Sequence, residues 1–383
     1  MKFLKWLLIV LVSVFAIAET YIFASGNTYL NTLFPLTIFS GKMGPDIDEL
    51  ELFNRNEVSS ESPQPWAVSD QQAVLNDSIL QLMELYETVS FVVIKNDTVK
   101  FEKHWEGYND SSLVNSFSMA KSITGMLVGC ALKDGLIKSV DEPVANYIDE
   151  FKVDDLQNIT IKHLLTMSSG LDFKEDYSSM FSWPAEAYYG PDVNGLTIKQ
   201  AKVETEPGKI WFYKGGDTQL LGIILKKVTG KTIAQYASEK LWRPLGAEQP
   251  AFWSLDEHGM EKVSCCWYSN ARDFARIAKL MMNQGNWNGQ QIIDSAYIKE
   301  ALTPADLLDR KGNKSQQYGY QWWLMKYKGH DVFYARGIRG QYIFAIPDTK
   351  TIVVRLGHKR AKKEGDELPE DIFVYLDAAL SMQ

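Results

Sequence analysis

A serine with a lysine three residues further on, Ser118 and Lys121, is the pairing in this chain best suited to covalent chemistry. It occurs once, because no other Ser has a Lys at that spacing. Positions i and i+3 of a helix share a face, so the hydroxyl and the amine can meet. A serine hydroxyl is a poor nucleophile until a neighbouring base takes its proton, and a lysine serves as that base only where its surroundings lower its proton affinity. The start of a helix helps, because the positive end of its dipole disfavours an ammonium group and its free backbone N–H groups can hold an oxyanion. The bland alternative is an exposed Ser capping a helix, with a solvated Lys one turn on.

The elements that must position this pair are legible on either side of it. Met119, Ile123, Met126, Leu127, Cys130 and Ala131 recur at helical spacing before Gly135, which predicts a helix beginning at Ser118. Upstream, apolar spacing predicts a helix over 71–86. Segments 88–94 and 98–105, β-branched and aromatic on both sides of Asn96-Asp97, predict a β-hairpin. Downstream, strands are expected at 320–325, 332–335, 342–346 and 351–356, and a closing helix over 369–380. Strands at both ends with helices between them indicate an α+β fold: an antiparallel sheet formed from both chain ends, flanked by helices, plus a helical subdomain.

Composition narrows the function. Across 383 residues, 40 Lys plus Arg stand against 48 Asp plus Glu, a net charge of −8, and 45% of residues are hydrophobic. That is a globular balance, and without a basic stripe it gives no footprint for nucleic acid. Cys130, Cys265 and Cys266 form no CxxC pair for zinc. Adjacent cysteines rarely bridge each other, so no disulfide is expected. The five His make no HExxH motif and no close cluster, so no metal is expected. There is no Gly-x-Ser-x-Gly elbow and no glycine-rich phosphate loop. Chemistry at Ser118 and Lys121 needs no cofactor.

Lys2 and Lys5 precede an apolar run over 6–18, interrupted only by Ser13 and ending in Ala16-Ile17-Ala18. Residues 1–24 therefore read as a signal peptide or, extended through Ala24, as an N-terminal membrane anchor. Either places the rest of the chain outside the cytoplasm, periplasmic or in the cell envelope, with membrane contact only through this segment. Residues 25–70, with Gly44-Pro45 and the Ser/Pro cluster at 59–65, read as an irregular extension or linker, and 71–383 as one domain.

Several ordered segments carry a resemblance. Ser116-Phe117-Ser118-Met119-Ala120-Lys121-Ser122, the run from Ile161 to Leu171, Glu206-Pro207-Gly208 leading to Tyr213, and Ala271-Arg272-Asp273-Phe274-Ala275-Arg276 are similar to segments of the serine β-lactamase and penicillin-binding-protein superfamily. The resemblance is to its class C-like branch. The motifs are nearest to those of 6-aminohexanoate-dimer hydrolases and related esterases. It implies a β-lactamase/transpeptidase-like fold, Ser118 as acylated nucleophile, Lys121 as general base and Tyr213 as proton relay. Tyr213-Lys214-Gly215 occupies the place of the family's Tyr-x-Asn, with Gly215 departing from it. Ala335-Arg336-Gly337 stands where Lys-Thr-Gly or His-Thr-Gly is usual. In that register the N–H groups of Ser118 and Ile338 form the oxyanion hole, and Gly215, Gly337, Arg339 and Gln341 bind substrate. Arg336 or Arg339 would pair with a substrate carboxylate, and Trp183, Tyr188 and Tyr189 would line a pocket. The substrate expected is a small-molecule amide or ester, or a peptide-like compound. The rivals are a non-catalytic envelope binding module and a D,D-peptidase or β-lactamase.

Overall fold

In a computed structural model describing residues 2–40, 44–362 and 368–382, strands from the two ends of the chain meet in one sheet. The first part of the chain gives β1 (Arg55–Val58), β2 (Ala67–Val68), β3 (Thr88–Lys95), β4 (Thr98–His104) and β5 (Val114–Asn115). The middle gives β6 (Ala251–Ser254), β7 (Trp267–Ser269) and two short ribbons, β8 (Asn286–Trp287) with β9 (Gln290–Gln291) and β10 (Leu307–Leu308) with β11 (Lys314–Ser315). The last part gives β12 (Trp323–Tyr327), β13 (His330–Gly337), β14 (Gln341–Ile346) and β15 (Thr351–Gly357). The large sheet runs β12-β13-β14-β15-β3-β4-β2 and is antiparallel except for the short parallel pairing of β2 with β4. Because β3 lies between β4 and β15, Val92 faces Val354. The α+β architecture expected from the sequence is the one observed.

The helices are α1 (Lys2–Ser25), α2 (Leu30–Ser40), α3 (Asp77–Leu85), α4 (Met119–Lys133), α5 (Ile161–Leu165), α6 (Trp183–Tyr189), α7 (Val193–Gln200), α8 (Gly215–Thr229), α9 (Ile233–Ala237), α10 (Ala271–Met282), α11 (Ser295–Ala301) and α12 (Asp371–Leu380). Alternation along β3 sends Val92 and Ile94 into a core shared with α4, α8 and α10. Phe91 and Val93 point into a second core with Tyr375 and Leu376 of α12. α4 is buried from Met119 to Ala131, as its apolarity on all sides requires. It packs between α8 and strands β13 and β14, which brings the helical half of the molecule to the end of the sheet.

Two expectations change. The helix read over 71–86 begins only at Asp77, with the side chain of Asn76 accepting from Ile79 N–H. Residues just before it follow the sheet edge instead, with the N–H groups of Ser69 and Ala73 donating to Val99 and Lys100 carbonyls. Residues 25–70 are not irregular throughout. α2 continues through Pro35, β1 pairs with β6, and β2 extends the large sheet. Gly and Pro marked the breaks correctly, but the strand that orders β1 lies about 200 residues away along the chain and the one that orders β2 about 30, beyond what local composition can report. Among the described residues, α1 is the one helix long and apolar enough to cross a membrane, and it is almost wholly exposed.

Candidate active site

The turn that carries Ser118, the expected nucleophile, is shaped before the helix begins. Asn115 Oδ1 accepts from Phe117 N–H, and Ser116 N–H donates to the Trp267 carbonyl at 2.7 Å, tying the turn to β7. Phe117 adopts φ +43°, an uncommon conformation for a non-glycine residue and one that concentrates at functional turns. Ser118 then occupies the N-cap of α4, but its side chain makes no capping bond. Its Oγ is instead 3.1 Å from Lys121 Nζ. Lys121 is 3% exposed and also donates to the Ser264 carbonyl at 2.6 Å. A capping serine with a solvated lysine is therefore not what the chain forms.

Ser118 and Lys121 open onto a cavity of about 270 Å³, whose walls include Ile338, Ser264, Trp183, Tyr188 and Tyr189. All three aromatics expected there are present. The Tyr213 ring centroid lies 5.3 Å from Lys121 Nζ, held between Trp323 at 5.1 Å and Tyr318 at 6.1 Å. Two glycines are explained by close approach. A Cβ on Gly337 would stand 2.3 Å from the Ser116 carbonyl oxygen, so only glycine lets β13 end against the nucleophile turn. A Cβ on Gly215 would meet the Trp183 ring at 2.6 Å, so the indole takes the space that a side chain at 215 would need.

Arg339 and Gln341 depart from the expected substrate contacts. Arg339, at φ +61°, turns its guanidinium to the Pro45 carbonyl at 2.6 Å and the His358 carbonyl at 3.1 Å. Gln341 is buried and exchanges hydrogen bonds with Gly357 N–H and C=O. Arg336 stacks its guanidinium 3.5 Å from the Trp323 ring centroid. None of the three lines the Ser118 cavity.

Several neighbours were not among the expected site residues. Glu175 accepts from the N–H groups of Gly215 and Gly216 at 2.7 and 2.9 Å, and burial raises its pKa against the pull of those bonds and of Lys121. Asp217, in the first turn of α8, is fully buried, accepts from Ser169 Oγ and has its pKa pushed up to about 7 by desolvation. Cys265 and Cys266 form a disulfide, contrary to the sequence expectation. The tight turn there, with Cys266 at φ +69°, brings two neighbouring sulfurs together that extended backbone would hold apart. One acidic group, Asp46, Asp48 and His358, gathers its ligand atoms within 4.8 Å of one another, although no metal was expected from the sequence. Arg339 stands 3.8 Å from Asp46, and Tyr108 donates to Asp48, so protein donors already occupy both carboxylates.

A beta-lactamase family profile matches residues 75–376. The chain belongs to the beta-lactamase family. A 6-aminohexanoate-dimer hydrolase of Paenarthrobacter ureafaciens is 24% identical over 292 residues, 72% of this chain and 74% of its own. A structure described as "Putative 6-aminohexanoate-dimer hydrolase from Bacillus anthracis" superposes with a TM-score of 0.75 at 23% identity, over 87% of this chain and 91% of its own. A family VIII carboxylesterase superposes with a TM-score of 0.59 at 18% identity, over 82% and 99%. The beta-lactamase-family member described here is accordingly a serine hydrolase with a β-lactamase/transpeptidase-like fold.

Proposed function

We propose that this enzyme cleaves an ester or amide through an acyl-enzyme on Ser118. Lys121 Nζ takes the hydroxyl proton as Ser118 Oγ attacks the carbonyl carbon, and the N–H groups of Ser118 and Ile338 hold the oxyanion. The C–O or C–N bond breaks, with Tyr213 delivering the proton to the leaving group. Water then attacks the acyl-ester with the same groups acting in reverse, freeing the acid and Ser118. The observation that carries this reading is the 3.1 Å contact between Lys121 Nζ and Ser118 Oγ, with the amine held from behind by the Ser264 carbonyl.

The names of the relatives favour an esterase or an amidase for linear amides. A β-lactam or a D,D-peptide fits less well. Gly215 offers no side-chain donor to a substrate amide, position 335 is Ala where the family's Lys or His would stand, and among the described residues no arginine lines the cavity to meet a carboxylate. The apolar N-terminal helix supports an exported enzyme held in or released from the cell envelope. The test is labelling of the purified protein with a fluorophosphonate and with a fluorescent penicillin, in the wild type, Ser118→Ala and Lys121→Ala. Fluorophosphonate labelling lost in both variants, with little penicillin labelling, is expected. Failure of both probes on the wild type leaves the binding module as the better reading.

A further inference from the structure

The wall of the cavity facing the dyad includes chain that precedes the matched family segment: Leu33 and Thr37 of α2, and the Gly44-Pro45 turn. α2 starts five residues after α1 ends. The last turn of α1 is seated on the body, with Ile22 only 4% exposed in the main core, while nearly all the rest of the helix shows its apolar side chains, Phe23 at 82% among them. The join is held by Tyr29, whose hydroxyl donates to the Met180 carbonyl at 2.9 Å, and by Asn31, which donates to Glu19 at 3.2 Å. Met180 itself lines the cavity, and beside it Phe181 is 59% exposed, as is Ile38 of α2 at 72%. A bilayer-length apolar helix, the lining of the Ser118 cavity and an exposed apolar rim are thus built into one continuous stretch of packing.

Resting on the acyl-enzyme reading, we infer that α1 is retained as a membrane helix and that the substrate is a membrane-resident amphiphile. This is an ester or amide of a long aliphatic acyl chain, whose tail lies against Leu33, Met180 and Trp183 while its carbonyl meets Ser118. Among the described residues, Lys121 and Asp176 are the charged side chains of the cavity lining, and the remainder is mainly apolar or aromatic. A neutral alkyl chain loses nothing by entering such a space, whereas a charged group lying along the apolar wall, away from Lys121 and Asp176, gives up its hydration without a partner. Each methylene moved from water into it is worth roughly a three- to fourfold gain in kcat/KM.

The experiment uses the full chain reconstituted in phosphatidylcholine vesicles, with p-nitrophenyl esters from acetate to decanoate. The expected result is a kcat/KM that climbs three- to fourfold per methylene over the first several carbons. Leu33→Glu, compared in the same vesicles so that partitioning of substrate cancels, should flatten that slope. A flat or falling profile in a protein that turns over acetate and labels with fluorophosphonate overturns the inference while leaving the hydrolase reading intact. So does a climbing profile that Leu33→Glu leaves unchanged in a variant that still labels. Absence of acetate turnover and of labelling at Ser118 overturns the hydrolase reading, and the inference with it.

Discussion

Two lysines are buried within reach of the same cavity wall, and they have different partners. Lys121, on α4, has the Ser118 hydroxyl at 3.1 Å and the Ser264 carbonyl at 2.6 Å. Lys262, two residues before Ser264 in the chain, is 1% exposed and donates to the Tyr188 carbonyl, with its ammonium 3.5 Å from the Phe53 ring centroid. Burial pulls the Lys262 pKa down to about 7, only partly opposed by Asp256 and Glu257. A lysine that releases its proton near neutrality has the acidity of a base, yet Lys262 bonds to a carbonyl and packs on an aromatic ring, neither of which has a proton to give. What separates the two is the partner: a base needs an acid in contact, and that contact comes from the i, i+3 geometry of α4.

The largest expected effect comes from breaking the first lysine. Lys121→Ala should slow fluorophosphonate labelling of Ser118 by about 10²–10⁴-fold, the usual worth of a positioned general base. Lys262→Met should keep labelling, and loss of labelling there would undo the contrast. Gly337→Ala comes next. A Cβ at 2.3 Å from the Ser116 carbonyl must push β13 off the nucleophile turn. A displacement of that order costs about 10²-fold in labelling rate, and a melting scan would show lost stability as well.

Lys262→Met has its own signature in stability. Between pH 7 and the ordinary lysine pKa of 10.5, the unfolded chain keeps the proton that folded Lys262 has lost, so wild-type stability rises with pH across that window. Methionine removes this slope. It should raise the unfolding free energy at pH 7 by on the order of a few kcal/mol, with the gain closing towards pH 10. Denaturant melts of both proteins across that range check it, and parallel pH profiles would refute it. The smallest effect lies at His358, whose pKa is raised by its hydrogen bond to Asp46. That contact is complete below the ordinary histidine pKa and is lost as pH rises through the raised value. Amide exchange at residues 44–48 should accelerate over that range, and Arg339→Ala should accelerate it at every pH.

What the sequence disclosed and what it hid follow one rule. Ser118 and Lys121 were legible because three residues fix their geometry. β3, β4 and the late strands were legible because alternation and the Asn96-Asp97 turn are local signals. Arg339 read as a site residue because it adjoins Ile338, but a left-handed backbone at 339 sends its side chain to Pro45, 294 residues away in sequence. Gln341, Glu175 and the Gly215–Trp183 fit are tertiary in the same sense. The Cys265–Cys266 bridge was missed for a different reason, since it depends on the shape of one tight turn rather than on a distant partner.

The pairing of Val92 with Val354 also sets a timetable. At about 5–20 residues per second, the roughly 260 residues between them take on the order of 13–50 s to synthesise. Until β15 emerges, β3 has only its hairpin partner, and the ground against which α4 aims Ser118 does not exist. β13, whose Gly337 abuts the nucleophile turn, arrives almost as late. The apolar first helix leaves the ribosome long before the sheet that backs Ser118 can close, so early steps of the chain's life are steps of a molecule with no finished cavity.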